Sequence, residues 1–411
     1  MMAQPDPFAD LAADKSPAPE AHAGCGLGTT LRWRSAEAAH IDSRVLSCPA
    51  AGAVPPGLRG LLEAEGAGSV IRAFHAGELV PNWRAERRVT IPGGFFRRTH
   101  RQLQIEPRVG RFYPAPFLAG APGLPPGPPT AFRVTSIAPD GQITVDFNHP
   151  LAGLPLELQL RALNLAPPGE APADLGRAAV TNGPGMQARW REQPTDFSAG
   201  DPYARADSGP DADFYAAPRM VQHVDAAARA RVAHLYRSLL PAGADVLDLM
   251  SSWTSHLDEE AQPRRVAGLG MNAEELAANP MLDERVVQDL NLETRLPWPD
   301  GRFDTVLCTV SVEYLVRPVE VFREVRRVLR PGGRFVVSFS NRWFPPKAIA
   351  LWAELHEFER MGLVLDFFLR AGGFEGLTTW SLRGLPRPPG DQYAGLLATS
   401  DPVFAVWGQA A

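Results

Sequence analysis

The stretch that most constrains this chain is Val246-Leu-Asp-Leu-Met-Ser-Ser-Trp-Thr-Ser-His-Leu257. An apolar, β-prone run carries an acidic residue, Asp248, and a polar turn then leads toward a helix. In open parallel α/β sheets, ligands bind at the carboxyl ends of strands, in the turns that leave them. Glycines in such turns let a ligand lie against the backbone. Here no glycine stands in the turn from Met250 to Leu257. Whether the turn still holds a ligand depends on what the neighbouring strands offer.

From residue 245 onward, strand and helix patterns alternate, which argues for a parallel sheet covered by helices. Strands are expected at Val246–Leu249, Arg265–Leu269, Arg285–Gln288, Phe303–Thr309 and Arg334–Phe339. Helices are expected over 273–278, 318–329 and 346–371, and Leu377–Leu382 with Pro402–Trp407 form closing antiparallel strands. Before them, Val221–Leu240 carries an apolar stripe at helical spacing that Pro241 and Gly243 stop.

The first half of the chain reads differently. Residues 1–38 are rich in Ala, Pro and Asp without an apolar period, which predicts a disordered tail. Residues 39–166 are β-rich, with candidates at Ser69–Phe74, Arg88–Ile91 and Leu156–Leu163, and a hairpin of Ala131–Ile137 with Gln142–Asp146. Gly120–Pro129 is loop by composition, and 167–212 is a linker punctuated by Trp190, Phe197 and Tyr203. The second domain would then run over 213–411.

Composition narrows the function classes. A net charge of -5 gives no electrostatic reason to expect nucleic acid. No run reaches the roughly 20 apolar residues of a membrane span, and the N-terminus lacks the features of a signal peptide. Cys25, Cys48 and Cys308 are too few and too far apart for a disulfide framework or a zinc site, so no metal is expected. A cytoplasmic setting follows.

Within the first half, Val145-Asp-Phe-Asn-His-Pro-Leu-Ala-Gly153 resembles the signature of SlyD-like FKBP-type peptidyl-prolyl isomerases. The resemblance implies roles for Asp146, Asn148, His149, Leu151 and Gly153, an insert around Pro107–Pro114, and a proline-containing polypeptide as partner. The chain departs from that family: Ile91-Pro-Gly93 is followed by Gly-Phe-Phe, and no aromatic residue lies between Trp33 and Phe74. An incomplete proline pocket favours binding or bracing. For His149, flanked by Asn148 and Pro150, the plainer reading is a turn histidine bonded to its own backbone.

The second half resembles class I S-adenosylmethionine-dependent methyltransferases, the type 11 group in particular. The resemblance rests on Leu296-Pro-Trp-Pro-Asp-Gly-Arg-Phe-Asp-Thr-Val-Leu-Cys308 and Phe322-Arg-Glu-Val-Arg-Arg-Val-Leu-Arg-Pro-Gly-Gly-Arg-Phe335. It implies a Rossmann-like, seven-stranded, mainly parallel sheet with S-adenosylmethionine bound by Asp248, Met250, Ser252, Gly270, Met271, Asn272, Asp289, Leu290 and Thr309. Of the family's three cofactor features only Asp289-Leu290, for the adenine, is intact. The first turn has lost its glycines, and Gly270 stands where an acid would take the ribose, leaving Asn272 to replace it. The same turn, with Gly-x-Asn-x-x-Glu-Leu and Val-Ser-Val-x-Tyr-Leu, resembles a subgroup with unassigned substrates.

Methyl transfer is an in-line displacement that needs a base only if the acceptor must lose a proton. Candidates are His223, Asp225, His256 and Tyr314, each of which equally suits a structural role. Thr309-Val-Ser-Val-Glu313 carries no Asn-Pro-Pro-Tyr, which disfavours a flat amide or nucleobase nitrogen as acceptor. The expected function is a methyltransferase with a small-molecule or protein acceptor, fused to an isomerase-like domain. The alternative is an isomerase or chaperone-like binding protein whose methyltransferase-like half is inactive.

Overall fold

The computed structural model describes Asp6, Phe8 and residues 26–48, 69–100, 103–125, 130–163, 165, 167–181 and 183–411. The sequence expectations for 1–5, 7, 9–25 and the end of Gly120–Pro129 lie outside the described residues. Seventeen strands follow in order: β1 Gly26–Arg34, β2 Ala39–Ser47, β3 Val70–Phe74, β4 Arg88–Pro92, β5 Thr99–His100, β6 Leu103–Gln104, β7 Phe112–Pro114, β8 Ala131–Ile137, β9 Gln142–Asp146 and β10 Leu156–Leu163. The second half supplies β11 Asp245–Leu249, β12 Arg265–Gly270, β13 Glu284–Val287, β14 Phe303–Thr309, β15 Leu329–Phe339, β16 Phe374–Arg383 and β17 Val403–Ala410.

The expected seven strands form, in the order β13-β12-β11-β14-β15-β17-β16, but they are part of a sheet of eleven. The five strands β11 to β15 pair in parallel, and β17 runs antiparallel between β15 and β16. Parallel strands buried on both faces read as continuous apolar runs. Their period of two sorts them here into two cores. Leu247, Leu249, Leu269, Val306 and Val337 face the helices Pro318–Val328 and Glu357–Ala371. Val246, Val266, Leu307 and Val336 face Leu235, Tyr236 and Leu239 of the helix Ala226–Leu239, with Leu276 of the helix Ala273–Ala278.

The remaining four strands extend this sheet in the order β2-β1-β10-β3. The junction is a parallel pairing of β16 with β2, with Trp380 opposite Ile41 and Ser381 opposite Asp42. Polar groups buried at the seam find each other. Ser381 Oγ donates to Asp42 at 2.6 Å, Arg383 pairs with Asp42 at 2.8 Å, and His40 Nδ1 meets Thr379 Oγ1 at 2.8 Å. The two halves are therefore joined edge to edge rather than as separate bodies. Between β3 and β10 an insertion forms its own sheet, β4-β9-β8-β7, around Phe96, Phe117, Phe132 and Phe147. It docks on the α/β half where Glu359 accepts the Phe112 N–H at 2.8 Å and pairs with the buried Arg111.

Five expectations need correction. Gly26–Arg34 is not tail: it is a central strand between β2 and β10, with Leu27, Leu31 and Trp33 in a core. The span 167–212 is not only spacer, since the helix Leu175–Val180 packs on that core and Phe197 is buried in the α/β core. The stripe from Val221 becomes helical only at Ala226, because Asp225 caps it by accepting the Ala228 N–H; residues 215–225 form a non-helical strap before it. The long helix over 346–371 breaks at Leu355–His356, where His356 and Glu359 form a capping box that starts a second helix. Cys48 is disulfide-bonded, against expectation, while Cys308 is a buried free thiol. No helix among the described residues is long and apolar enough to cross a membrane.

Candidate functional site

The turn after β11 lies folded across the end of β12. Met250 has φ +59°, a left-handed conformation that glycine takes without cost. That reversal brings the Ser251 N–H to the Leu269 carbonyl at 2.7 Å. It also brings the Ser251 carbonyl so near Gly270 that a Cβ there would lie 2.1 Å from it. A side chain at 270 is barred, so the missing acid at the end of this strand and the missing glycines in the turn are one change, not two. The hydroxyls then satisfy the turn. Ser251 Oγ donates to Asp248 at 2.6 Å, Ser252 Oγ donates to Glu275 at 2.6 Å, and Asn279 Nδ2 donates to the Ser252 carbonyl and to Ser255 Oγ, both at 2.9 Å.

A cleft of about 1150 Å³, its open mouth included, opens beside this turn at the carboxyl ends of the parallel strands. All nine sequence-derived cofactor positions line it: Asp248, Met250, Ser252, Gly270, Met271, Asn272, Asp289, Leu290 and Thr309. Six non-glycine residues among those described have left-handed backbones, and three of them, Met250, His256 and Val310, line this cleft. Such conformations cost on the order of 1–3 kcal/mol each and concentrate at functional sites. Val310 is the costliest in kind, because it is β-branched.

The lining residues are not equally free. Asn272 is spent: its Oδ1 caps the Ala273–Ala278 helix by accepting from Glu274 and Glu275, and its Nδ2 donates to the Tyr215 and Ala216 carbonyls. The expectation that it takes over the ribose is corrected, since no donor or acceptor remains on it. Glu275 is the carboxylate this wall presents instead, held by the Arg219 N–H at 2.7 Å and by Ser252. Asp289 accepts the Asn291 N–H at Oδ1, leaving Oδ2 with no protein partner among the described residues, beside the buried Leu290. Thr309 Oγ1 meets the hydroxyl of Tyr236, which also reaches Ser338 at 2.6 Å. Asp248 is fully enclosed, and burial lifts its carboxyl to about 6 against the opposing pull of the Ser251 and Ser255 hydroxyls.

Three of the four catalytic candidates reach the cleft. His223 stands edge-on to Phe344, ring centres 5.2 Å apart, with its pKa lowered by burial. His256 is pushed down to about 4 by burial and by the nearby Arg229 and His223. The Tyr314 hydroxyl accepts the Phe344 N–H at 2.9 Å, and burial holds that hydroxyl well above its ordinary pKa. Asp225 does not reach the cleft. It is buried in a network with Arg387 at 3.3 Å, Ser400 Oγ at 2.8 Å and the Asp401 N–H at 2.6 Å, which leaves it no access to a substrate proton.

The side chains of the isomerase-like motif are spent on bonds to neighbouring segments and to the turn itself. Asp146 accepts the Trp83 Nε1–H at 2.9 Å and the Asn148 N–H at 2.8 Å, and Asn148 exchanges two bonds with the Arg84 backbone. His149 Nδ1 accepts the Leu151 N–H, and its Nε2 meets the Val180 carbonyl at 2.9 Å. Leu151 is buried, and Gly153 turns the chain at φ +82°.

A family model described as a methyltransferase domain matches residues 251–337, which run from the first turn through most of β15. Over that span the chain is similar to a methyltransferase domain. The chain is 37% identical over 68 residues to a ubiquinone/menaquinone biosynthesis C-methyltransferase of Chromobacterium violaceum, 16% of this chain and 28% of that one. A demethylmenaquinone methyltransferase of Lactiplantibacillus plantarum is 26% identical over 163 residues, 34% of this chain and 69% of that one. An S-adenosylmethionine-dependent methyltransferase structure from Mesorhizobium loti superposes with a TM-score of 0.28 at 19% identity, covering 42% of this chain and 95% of that one. The chain thus spans less than a third of the length of the Chromobacterium violaceum relative.

Reasoning from sequence missed Glu275, Arg219 and Tyr215, all of which line this cleft. Glu275 had a signal, as the acid of Gly-x-Asn-x-x-Glu-Leu. Arg219 and Tyr215 had none, because the strap that carries them has no periodicity.

Proposed function

We propose that this cleft binds S-adenosylmethionine and transfers its methyl group to a small-molecule acceptor. The observation that carries the reading is the convergence of four strand ends and a strained turn on one cleft that keeps unspent polar atoms. The residues fit the cofactor. Asp289 Oδ2 is free to accept from the adenine amine, with Leu290 against the ring. Glu275 offers the carboxylate for the ribose hydroxyls that the closed position at Gly270 does not. Asp248 acts through Ser251, fixing the turn rather than touching the ligand.

When bound, S-adenosylmethionine supplies an electrophilic methyl group. The chain's own contribution is to orient the acceptor and to exclude water, which accounts for most of the rate in a displacement of this kind. His223 is the group suited to take a proton from a hydroxyl acceptor, because its lowered pKa keeps the imidazole neutral near pH 7. The small-molecule acceptor is supported by the relatives, which are named for quinone substrates. Thermal unfolding with S-adenosylhomocysteine tests the reading. Ligand at 100 times its dissociation constant stabilises by about 2.7 kcal/mol. Absence of any shift at millimolar ligand sinks it.

A further inference from the structure

Beside the cofactor positions, the cleft is walled by the strap residues Tyr215, Arg219 and His223 and by Tyr314 and Phe344. The guanidinium of Arg219 lies among three rings, 4.5 Å from Phe214, 5.4 Å from Phe344 and 5.7 Å from Tyr215. Its Nη2 donates to the Phe214 carbonyl at 2.8 Å, while its Nη1 is buried and has no hydrogen-bond partner. Among the described residues no carboxylate pairs with this cation. Glu275, an acid of the cleft, takes the Arg219 backbone N–H instead. Phe344 in turn stacks on Tyr314, centres 6.0 Å apart and planes 30° apart, and meets His223 edge-on.

A buried, uncompensated guanidinium donor is costly to leave unmade. Aromatic faces around it keep water off and offer a surface for a flat ring. Arginine donors suit carboxylate and phenolate oxygens. Resting on the methyltransferase reading above, we propose that this wall is the acceptor subsite. It takes a planar aromatic acid or phenolate, with the anionic oxygen on Arg219 Nη1 and the ring against Phe344 and Tyr314. His223, neutral and beside Phe344, lies where a second hydroxyl of such an acceptor would be deprotonated.

Salicylate, with salicylamide as its uncharged counterpart, probes the subsite by calorimetry on the full chain, with and without saturating S-adenosylhomocysteine. Salicylate is expected to bind the wild type at least about tenfold more tightly than salicylamide, the difference of one charge-assisted contact. Arg219→Leu should remove that preference while changing the affinity for S-adenosylhomocysteine less than about twofold, and Arg219→Lys should keep part of it. Equal binding of the two probes, or no salicylate binding at about 10 mM, overturns the proposal. So does an Arg219→Leu variant that loses S-adenosylhomocysteine and keeps salicylate, which would assign the cation to the donor side. If S-adenosylhomocysteine does not bind the wild type, the methyltransferase reading fails. The salicylate titration without it still decides the anion subsite.

Discussion

Two turns in this molecule begin with an aspartate at the end of a strand, and each resembles the signature of a known family. The turn at Asp146 spends its polar side chains on neighbouring segments and on itself: Asp146, Asn148 and His149 bond Trp83, Arg84, Val180 and Leu151. The turn at Asp248 also ties itself down, through Ser251, Ser252 and Ser255. It does so under strain, at Met250 and His256, and beside atoms that remain unspent, such as Asp289 Oδ2 and Arg219 Nη1. A motif fixes a shape; leftover bonding capacity within reach of that shape marks a site. On that contrast rests the proposal that the second turn is the ligand site and the first a joint.

The comparison can be broken from the larger effects downward. Restoring the family's acid with Gly270→Asp would drive a side chain into the Ser251 carbonyl. A loss of about 3 kcal/mol or more is expected in denaturant unfolding, from overpacking together with a buried charge. A variant as stable as the wild type would show that the turn is not locked over β12.

The Asp248 carboxyl gives a pH signature. Folded it titrates near 6, above its ordinary value of 3.8, so between those pH values the native state holds a proton that the unfolded state has released. Its contribution therefore destabilises progressively as pH rises from about 4 to 6, by up to about 1.4 kcal/mol per pH unit. The wild-type stability minus that of Asp248→Asn should fall across this window and level off above it. A flat difference would mean that Asp248 is not enclosed as described.

Asp289→Ala should weaken S-adenosylhomocysteine binding by about tenfold, the loss of one buried contact, with little change in melting temperature. At the other turn, His149→Ala should do the reverse. About 1 kcal/mol of stability should go with its two hydrogen bonds, while the affinity for S-adenosylhomocysteine stays unchanged. Loss of that affinity would mean the joint is coupled to the cleft.

Much of the α/β half was legible because parallel strands buried on both faces are simple apolar runs. Phe303–Thr309 and the helix over 273–278 fall where their patterns put them. Gly26–Arg34 was not legible, because glycine and threonine dilute its apolar residues and it follows a stretch that reads as tail. The pairing of β16 with β2 was equally hidden. Thr379 and His40 are 339 positions apart, and strand edges carry no address in sequence. In the cleft, the family resemblance implied the nine positions, but not which of them had bonding capacity left. Asn272 looked available until the caps it makes were seen, and Glu275 looked like an ordinary helix acid until Gly270 was seen to be closed.

Calorimetric titration of S-adenosylhomocysteine into the full chain tests the central claim most directly, that a turn without glycines still makes a cofactor cleft. Saturable binding at one site per chain, weakened about tenfold by Asp289→Ala, is the expected result. No binding at millimolar ligand, or the same affinity in Asp289→Ala as in the wild type, would contradict it.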